Sequence, residues 1–337
     1  MIPEKDITEL NVFINFGTPR LGDSIAWVSV VEKFQEENPC NIFLSTYWND
    51  LVRETYPNIT FLEPKPVPLN FDTYDDGWQC ISTIPQKLID KEKQRIVHGD
   101  SYSPLSVYYY KDDFDVIYDF TEIIQWPFDR GLNIQEIAYK ALGLDYDSST
   151  EKITRITVKE EPDKNERITK PYVCVASQSL AQCKFWNYPN GWNEIVEYLK
   201  KRNYEVVCID EKTRGGNRIP RNTISMTEHH IDDIIKVLNG AEFFIGLSSG
   251  LSWLAWALNK HVVMISGFTN PDHEFQTKCE RVFNPNVCND CFGKYPLDPT
   301  NWNWCPEHEN TDRMFECSKQ ITPEMVKEAI DNTIRKL

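Results

Sequence analysis

Between Tyr172 and Ser266 the chain alternates two kinds of segment in strict order. Short apolar runs at 172–176, 204–209, 242–247 and 261–266 are separated by helical stretches at 191–202, 231–239 and 250–258. Trp192, Ile195, Val196 and Leu199 fall on one face of the first helical stretch, as Ile231, Ile234, Ile235 and Leu238 do on the second. Strands joined by single helices return the chain to the same end of the sheet each time, so they pair in parallel and are covered on both faces. The pattern predicts an α/β domain whose ligands lie beyond the carboxyl ends of its strands.

The first half repeats the theme less regularly. Asn11-Val-Phe-Ile-Asn-Phe16 reads as a strand, followed by a helix with Ile25, Val28, Val31 and Phe34 on one face, ended by Asn38-Pro39. Asn41-Ile-Phe-Leu-Ser45, Asn58-Ile-Thr-Phe-Leu62 and Phe114-Asp-Val-Ile-Tyr-Asp119 are further strands, and 133–142 is a closing helix. Residues 63–112, rich in Pro, Asp and Tyr, read as an insertion carrying binding loops, and polar 150–170 as a linker. Two Rossmann-like domains facing a cleft are therefore expected, 1–150 and 170–320, with a final helix in 321–337 opened by Thr322-Pro323.

Near the C-terminus stand Cys288, Cys291, Cys305 and Cys317, spaced C-x2-C-x13-C-x11-C among Phe292, Trp302, Trp304 and Phe315. Two close thiolates and two distant ones can close a tetrahedral metal site, and such a site can fold a segment that lacks its own core. We expect a metal finger over 283–320; two disulfides or unpaired buried thiols are the alternatives. Sulfur chemistry by itself favours zinc. The other six cysteines are scattered, several in apolar strands, as in a reducing cytoplasm. The chain has no long apolar run and no signal-peptide pattern at its start. A net charge of −15 disfavours nucleic acid and anionic membrane.

Three turns could carry chemistry. Gly17-x4-Gly22-Asp23 resembles a P-loop whose lysine position holds a carboxylate, which would repel a triphosphate. Asp23 either caps its helix or acts as a general base on an acceptor hydroxyl, with Arg20 and Gly22 beside it. Ser177-Gln-Ser179 ends a strand, and Lys184 follows within an apolar loop; a lysine there is usually a solvated group, but it could neutralise a diphosphate. Ser248-Ser249-Gly250 joins a strand to an apolar helix, a geometry suited to pyrophosphate and equally to plain N-capping. Met226 and the pair His229-His230 precede another helix; adjacent histidines lack metal-ligand spacing and read as cap residues, or as neighbours of a base or ribose.

In this order the motifs resemble glycosyltransferase family 9, the heptosyltransferases of GT-B fold. Gly22-Asp23 resembles the family's proposed base, Lys184 its donor lysine, and Ser248-Ser-Gly-Leu-Ser-Trp253 the D-T-G-x-x-H phosphate turn, with Ser248 and Trp253 as departures. With the four cysteines, Ile265-Ser-Gly-Phe-Thr-Asn-Pro271 and Trp304-Cys-Pro306, the chain is similar to the autotransporter heptosyltransferases, which O-glycosylate proteins. That resemblance implies heptose transfer from ADP-heptose to Ser or Thr of a protein acceptor, in the cytoplasm. It makes 1–150 the acceptor side and 170–320 the nucleotide side. Asp23 would be the base, and Ser177, Ser179, Lys184, Met226, Ser248, Ser249 and Gly250 would hold the donor. It further implies iron (Fe3+) at the cysteines, no catalytic metal, and a possible homo-oligomer. The extra N-terminal domain of some relatives is expected to be absent. Glycolipid or nucleic-acid acceptors are the competing expectations.

Overall fold

The structure is a computed structural model that describes residues 7–64, 89–90, 95–96, 113–124, 129–147, 149, 151–158, 168–179, 181–210, 219–226, 229–298 and 301–337. It divides into two compact units, Met1–Thr157 and Val158–Leu337.

In the first unit, strands β1 (Asn11–Asn15), β2 (Asn41–Ser45) and β3 (Ile59–Leu62) are separated by α1 (Leu21–Glu37) and a single turn at Asn49–Val52. A two-residue pair, β4 (Ile89–Asp90) and β5 (Arg95–Ile96), is antiparallel; the rest of the expected insertion over 65–112 lies outside the described residues. β6 (Val116–Asp119) then joins a fully parallel sheet in the order β3-β2-β1-β6. Helix α2 (Ile134–Ala141) starts at Asn133, which with Glu136 forms a reciprocal capping box, and it packs on α1 through Trp27 Nε1, which donates to the Ile134 carbonyl at 2.9 Å. Residues 151–157 fold back onto this unit. The Thr154 hydroxyl donates to the Ile25 carbonyl at 2.5 Å, and Gln135 Nε2 donates to the Lys152 carbonyl at 2.7 Å. The unit therefore runs past the boundary expected at 150, because polar side chains on α1 and α2 claim the start of the connection.

The second unit is the regular one. β7 (Tyr172–Val175), α3 (Gly191–Lys201), β8 (Glu205–Cys208), α4 (Ile231–Gly240), β10 (Phe243–Leu247), α5 (Gly250–Ala257) and β11 (His261–Ile265) follow the predicted alternation, and a two-residue strand not predicted, β9 (Ile224–Ser225), pairs with β8 ahead of α4. The parallel strand β12 (Cys279–Val282) extends the series past its expected end. It is half-exposed and carries Glu280 and Arg281, so no apolar run announces it. The order is β12-β11-β10-β7-β8-β9, an open sheet that reverses direction between β7 and β10. Helix α6 (Pro323–Ile334), capped by Thr322, finds its partner here: Val326, Ala329 and Ile330 join the core with Val263, Ile265, Val282 and Leu199. Burying each such side chain contributes about 1.5–3 kcal/mol.

Candidate functional site

The strand order reverses between β7 and β10, and the carboxyl edge at such a switch point is where parallel sheets take their ligands. The chain places Ser177-Gln178-Ser179 on one side of the switch point and Ser248-Ser249-Gly250 on the other. Met226 follows β9 on the same edge, its N–H held by the Cys208 carbonyl at 2.8 Å. His230 occupies the N-cap position of α4, and His229 lies 3.8 Å from Asp233.

Each serine turn is held by a buried carboxylate. Asp210, just past β8, accepts from the Ser177 N–H at 2.9 Å, the Ser177 hydroxyl at 2.7 Å and the Gln178 N–H at 3.0 Å. Burial nevertheless pushes the Asp210 carboxyl above its ordinary value, with these hydrogen bonds pulling it back. On the other side of the switch point the Ser248 hydroxyl donates to Glu274, which is ion-paired with Arg281. The Arg281 guanidinium also donates to Thr269 Oγ1 at 2.7 Å and to the Asn270 carbonyl at 3.1 Å. Burial alone would raise Glu274, but Arg281, His273 and the Ser248 hydroxyl hold it below its usual value. Breaking such a buried pair costs about 3–5 kcal/mol. The hydroxyls of Ser177 and Ser248 are thus engaged within the protein, and what they set is the position of the turn backbones.

Ser249 differs. It is the N-cap of α5, extended at φ −155°, with no side-chain capping bond, and its buried Oγ has no hydrogen-bond partner. A buried hydroxyl left unpaired costs about 1–3 kcal/mol, so the position suits a polar ligand group. The start of α5 adds N–H groups and the positive end of the helix dipole, and no acidic residue occupies its first turn. Trp253, one turn along, is a core residue packed edge-on against Trp256 and Phe275 at 5.4 and 4.9 Å.

Lys184 ends a 3-10 turn, Gln182–Lys184. Its Nζ lies 5.4 Å from the ring centre of Phe268 and 5.8 Å from that of Phe292. Both distances fall within cation–π range.

The cysteine segment is folded by local geometry. Asp290 (φ 62°) and Phe315 (φ 59°) take left-handed backbone ahead of the single-turn helices Cys291–Lys294 and Glu316–Lys319. All four thiols are reduced. The Phe315 N–H donates to Cys305 Sγ at 3.3 Å. A hydrogen bond from Cys317 pulls Cys288 down to about 6. Burial first, then the charges of Glu307, Cys288 and Cys305, raise Cys291 to about 12; the hydrogen bond with Cys288 first, then burial and the neighbouring sulfurs, push Cys317 up. The four sulfurs sense one another electrostatically, and thiolates of this kind suit a soft or borderline cation, but no three of them lie within 4.8 Å of one another. Cys288 also belongs to a second group: its Sγ and one atom each of His308 and Glu316 lie within 4.8 Å of one another. Gly267 accommodates this segment, since a Cβ there would stand 2.7 Å from the Cys317 carbonyl.

In the first unit, Gly17 turns the chain after β1 with φ 60°, a conformation suited to glycine. Exposed Arg20, not Asp23, is the N-cap of α1. Asp23 is the third helical residue, half-buried behind Gly22. Plain N-capping therefore does not account for it. Asn15 and Asp119, joined at 3.0 Å, close the neighbouring strand ends.

Asp210, Glu274, Arg281, Phe268 and Phe292 were not foreseen as parts of this edge. Asp210 was the most accessible to sequence reasoning, as a carboxylate directly after an apolar parallel strand. The Glu274–Arg281 pair depends on the unannounced strand β12.

Comparison with known proteins gives a consistent picture. The glycosyltransferase family 9 (heptosyltransferase) model matches residues 132–294. The autotransporter heptosyltransferase Aah of Escherichia coli is 33% identical over 95% of this chain and 73% of its own length. A solved structure of the iron-containing dodecameric glycosyltransferase TibC from enterotoxigenic E. coli H10407 superposes with TM-score 0.74 at 31% identity, covering 97% of this chain and 79% of that one. E. coli ADP-heptose lipopolysaccharide heptosyltransferase II, at 13% identity and TM-score 0.58 over 97% and 99%, shares the fold.

Proposed function

The chain belongs to the autotransporter heptosyltransferases of glycosyltransferase family 9, and from that membership we propose that it transfers heptose from an ADP-linked donor to Ser or Thr hydroxyls of a protein. TibC has been solved with ADP-D-β-D-heptose, which supports this donor. The observation that carries the reading in this chain is Ser249, a buried unpartnered hydroxyl at a helix start beside the sheet reversal.

In this reading the donor diphosphate sits on the first turn of α5. Ser249 and the free N–H groups bind phosphate oxygens, Gly250 lets the backbone approach, and the turns at Ser177, Ser179 and Ser248 shape the walls. Met226 lies toward the nucleoside. Lys184 offsets the charge that grows on the diphosphate as the sugar–oxygen bond breaks. Asp23 accepts the acceptor hydroxyl's proton as its oxygen attacks the anomeric carbon. Lysine and helix end supply the positive charge, so no catalytic metal is required. Cys288, Cys291, Cys305 and Cys317 hold one structural metal, iron as in TibC, with zinc the chemical competitor. When bound, it cross-links the finger. Self-association also belongs to the proposal, TibC being dodecameric. No helix among the described residues is long and apolar enough to cross a membrane. A cytoplasmic location, with a secretion-bound polypeptide as acceptor, completes the reading.

The test is to incubate the purified protein with ADP-heptose, other nucleotide sugars and a panel of acceptors, and to read intact masses. Heptose-sized increments on a polypeptide are expected. Increments only on a glycolipid, or donor hydrolysis without transfer, would overturn the acceptor assignment. Elemental analysis of the same sample identifies the metal, and Cys288→Ser should lose it and lower Tm.

A further inference from the structure

The turn that carries Lys184 is anchored to the cysteine segment and to the residue just beyond it. Phe185 packs edge-on against Trp302 at 5.9 Å, Asn187 Nδ2 donates to Ser318 Oγ at 2.8 Å, and Trp186 Nε1 donates to the Ile321 carbonyl at 2.8 Å. The same segment supplies one of the two rings around the ammonium. Phe292 follows Cys291 directly, its N–H donates to the Phe268 carbonyl at 3.2 Å, and the two ring centres lie 5.3 Å apart. Trp304 packs edge-on against Phe268 at 5.7 Å. The Lys184 Nζ lies within 6 Å of both phenylalanine ring centres.

Aromatic faces attract a cation without cancelling its charge, and they accept none of its N–H bonds strongly. A lysine held this way keeps its positive charge for an anionic ligand. It has also lost much of the rotamer freedom that binding would otherwise remove. We propose that Phe292, with Phe268, is a positioning residue for the donor: the ring faces hold Lys184 Nζ where it meets the nucleotide diphosphate. The finger thereby sets donor affinity in addition to stabilising its own segment. This rests on the reading of Lys184 as the donor lysine.

The test uses the full metal-loaded chain and ADP as the probe, by titration calorimetry. Lys184→Ala should weaken ADP binding. Phe292→Leu, which keeps bulk but removes the ring, should weaken it about three- to tenfold. It should leave metal content and Tm unchanged, and it should have no further effect in the Lys184→Ala background. Phe292→Tyr should bind ADP like the parent protein. If Lys184→Ala leaves ADP affinity intact, the donor-lysine reading fails and the proposal with it. If Lys184→Ala weakens binding while Phe292→Leu does not, or if Phe292→Leu costs the same in both backgrounds, the proposal fails and the donor-lysine reading stands. Should Phe292→Leu disturb the metal, progressively fluorinated phenylalanines at 292 drain the ring's negative face at nearly constant shape. ADP affinity should then fall stepwise with fluorination, and a flat series overturns the proposal.

Discussion

Both units start a helix directly after a central parallel strand, yet they treat that helix start in opposite ways. After β1 the chain enters α1 with the carboxylate of Asp23 in the first turn. After β10 it enters α5 with the unpaired hydroxyl of Ser249, then Gly250, and no acidic residue in the first turn. A helix N-terminus carries roughly half a positive charge in either case. In the first unit the protein answers that charge itself. In the second no acidic side chain answers it. On the proposed function, one backbone device then serves as the setting of a base in one unit and of an anion site in the other, and the difference lies in one or two side chains.

The strongest way to break this contrast is to neutralise the first unit's carboxylate. Asp23→Asn should lower transfer about a thousandfold, the scale of a lost general base, with ADP affinity by calorimetry unchanged. Transfer at a tenth of the wild-type rate or better would remove Asp23 from that role. Next comes grafting the first unit's solution onto the second. Ser249→Asp should weaken ADP binding about a hundredfold through like-charge contact. It should at the same time raise Tm slightly, because a carboxylate at the helix start contributes about 0.5 kcal/mol. Intact ADP affinity in that variant would place the diphosphate elsewhere. Ser249→Ala is milder: losing one hydrogen bond to a charged ligand should reduce affinity about tenfold.

Most of the second unit could be read from the sequence because its helices are amphipathic and its central strands, buried on both faces, are apolar; the short or half-exposed β9 and β12 carry no such run. The carboxyl-edge serines followed from that order. What supports them did not. Glu274 reaches Ser248 from beyond β11 and is itself held by Arg281, and nothing in local spacing links positions 26 and 33 residues further along the chain. The same holds for Lys184, whose aromatic surroundings come from Phe268 and Phe292. Sequence periodicity reports which face of an element is buried. It does not report which side chains meet at the ends of different strands. Nor did the cysteine spacing indicate that Ser318, beside Cys317, would hold the Lys184 loop through Asn187.

The smallest expected effect separates the two carboxylates that hold the two serine turns. Glu274 is held below its ordinary value in the folded protein, so its contribution is complete above that value. It fades as pH falls, because the unfolded chain takes up the proton first. Asp210 is raised by burial, so the folded protein takes up its proton first. Its contribution is complete below the ordinary carboxylate value and fades as pH rises through the raised one. Through the acid range the two slopes oppose each other. Tm measured from roughly pH 3 to pH 7 should therefore fall less steeply on acidification in Glu274→Gln than in the wild type, and more steeply in Asp210→Asn. Three parallel curves would mean that neither carboxylate titrates differently on folding. The two turns would then be held by hydrogen-bond geometry alone, without the opposed electrostatics that burial and Arg281 impose on them.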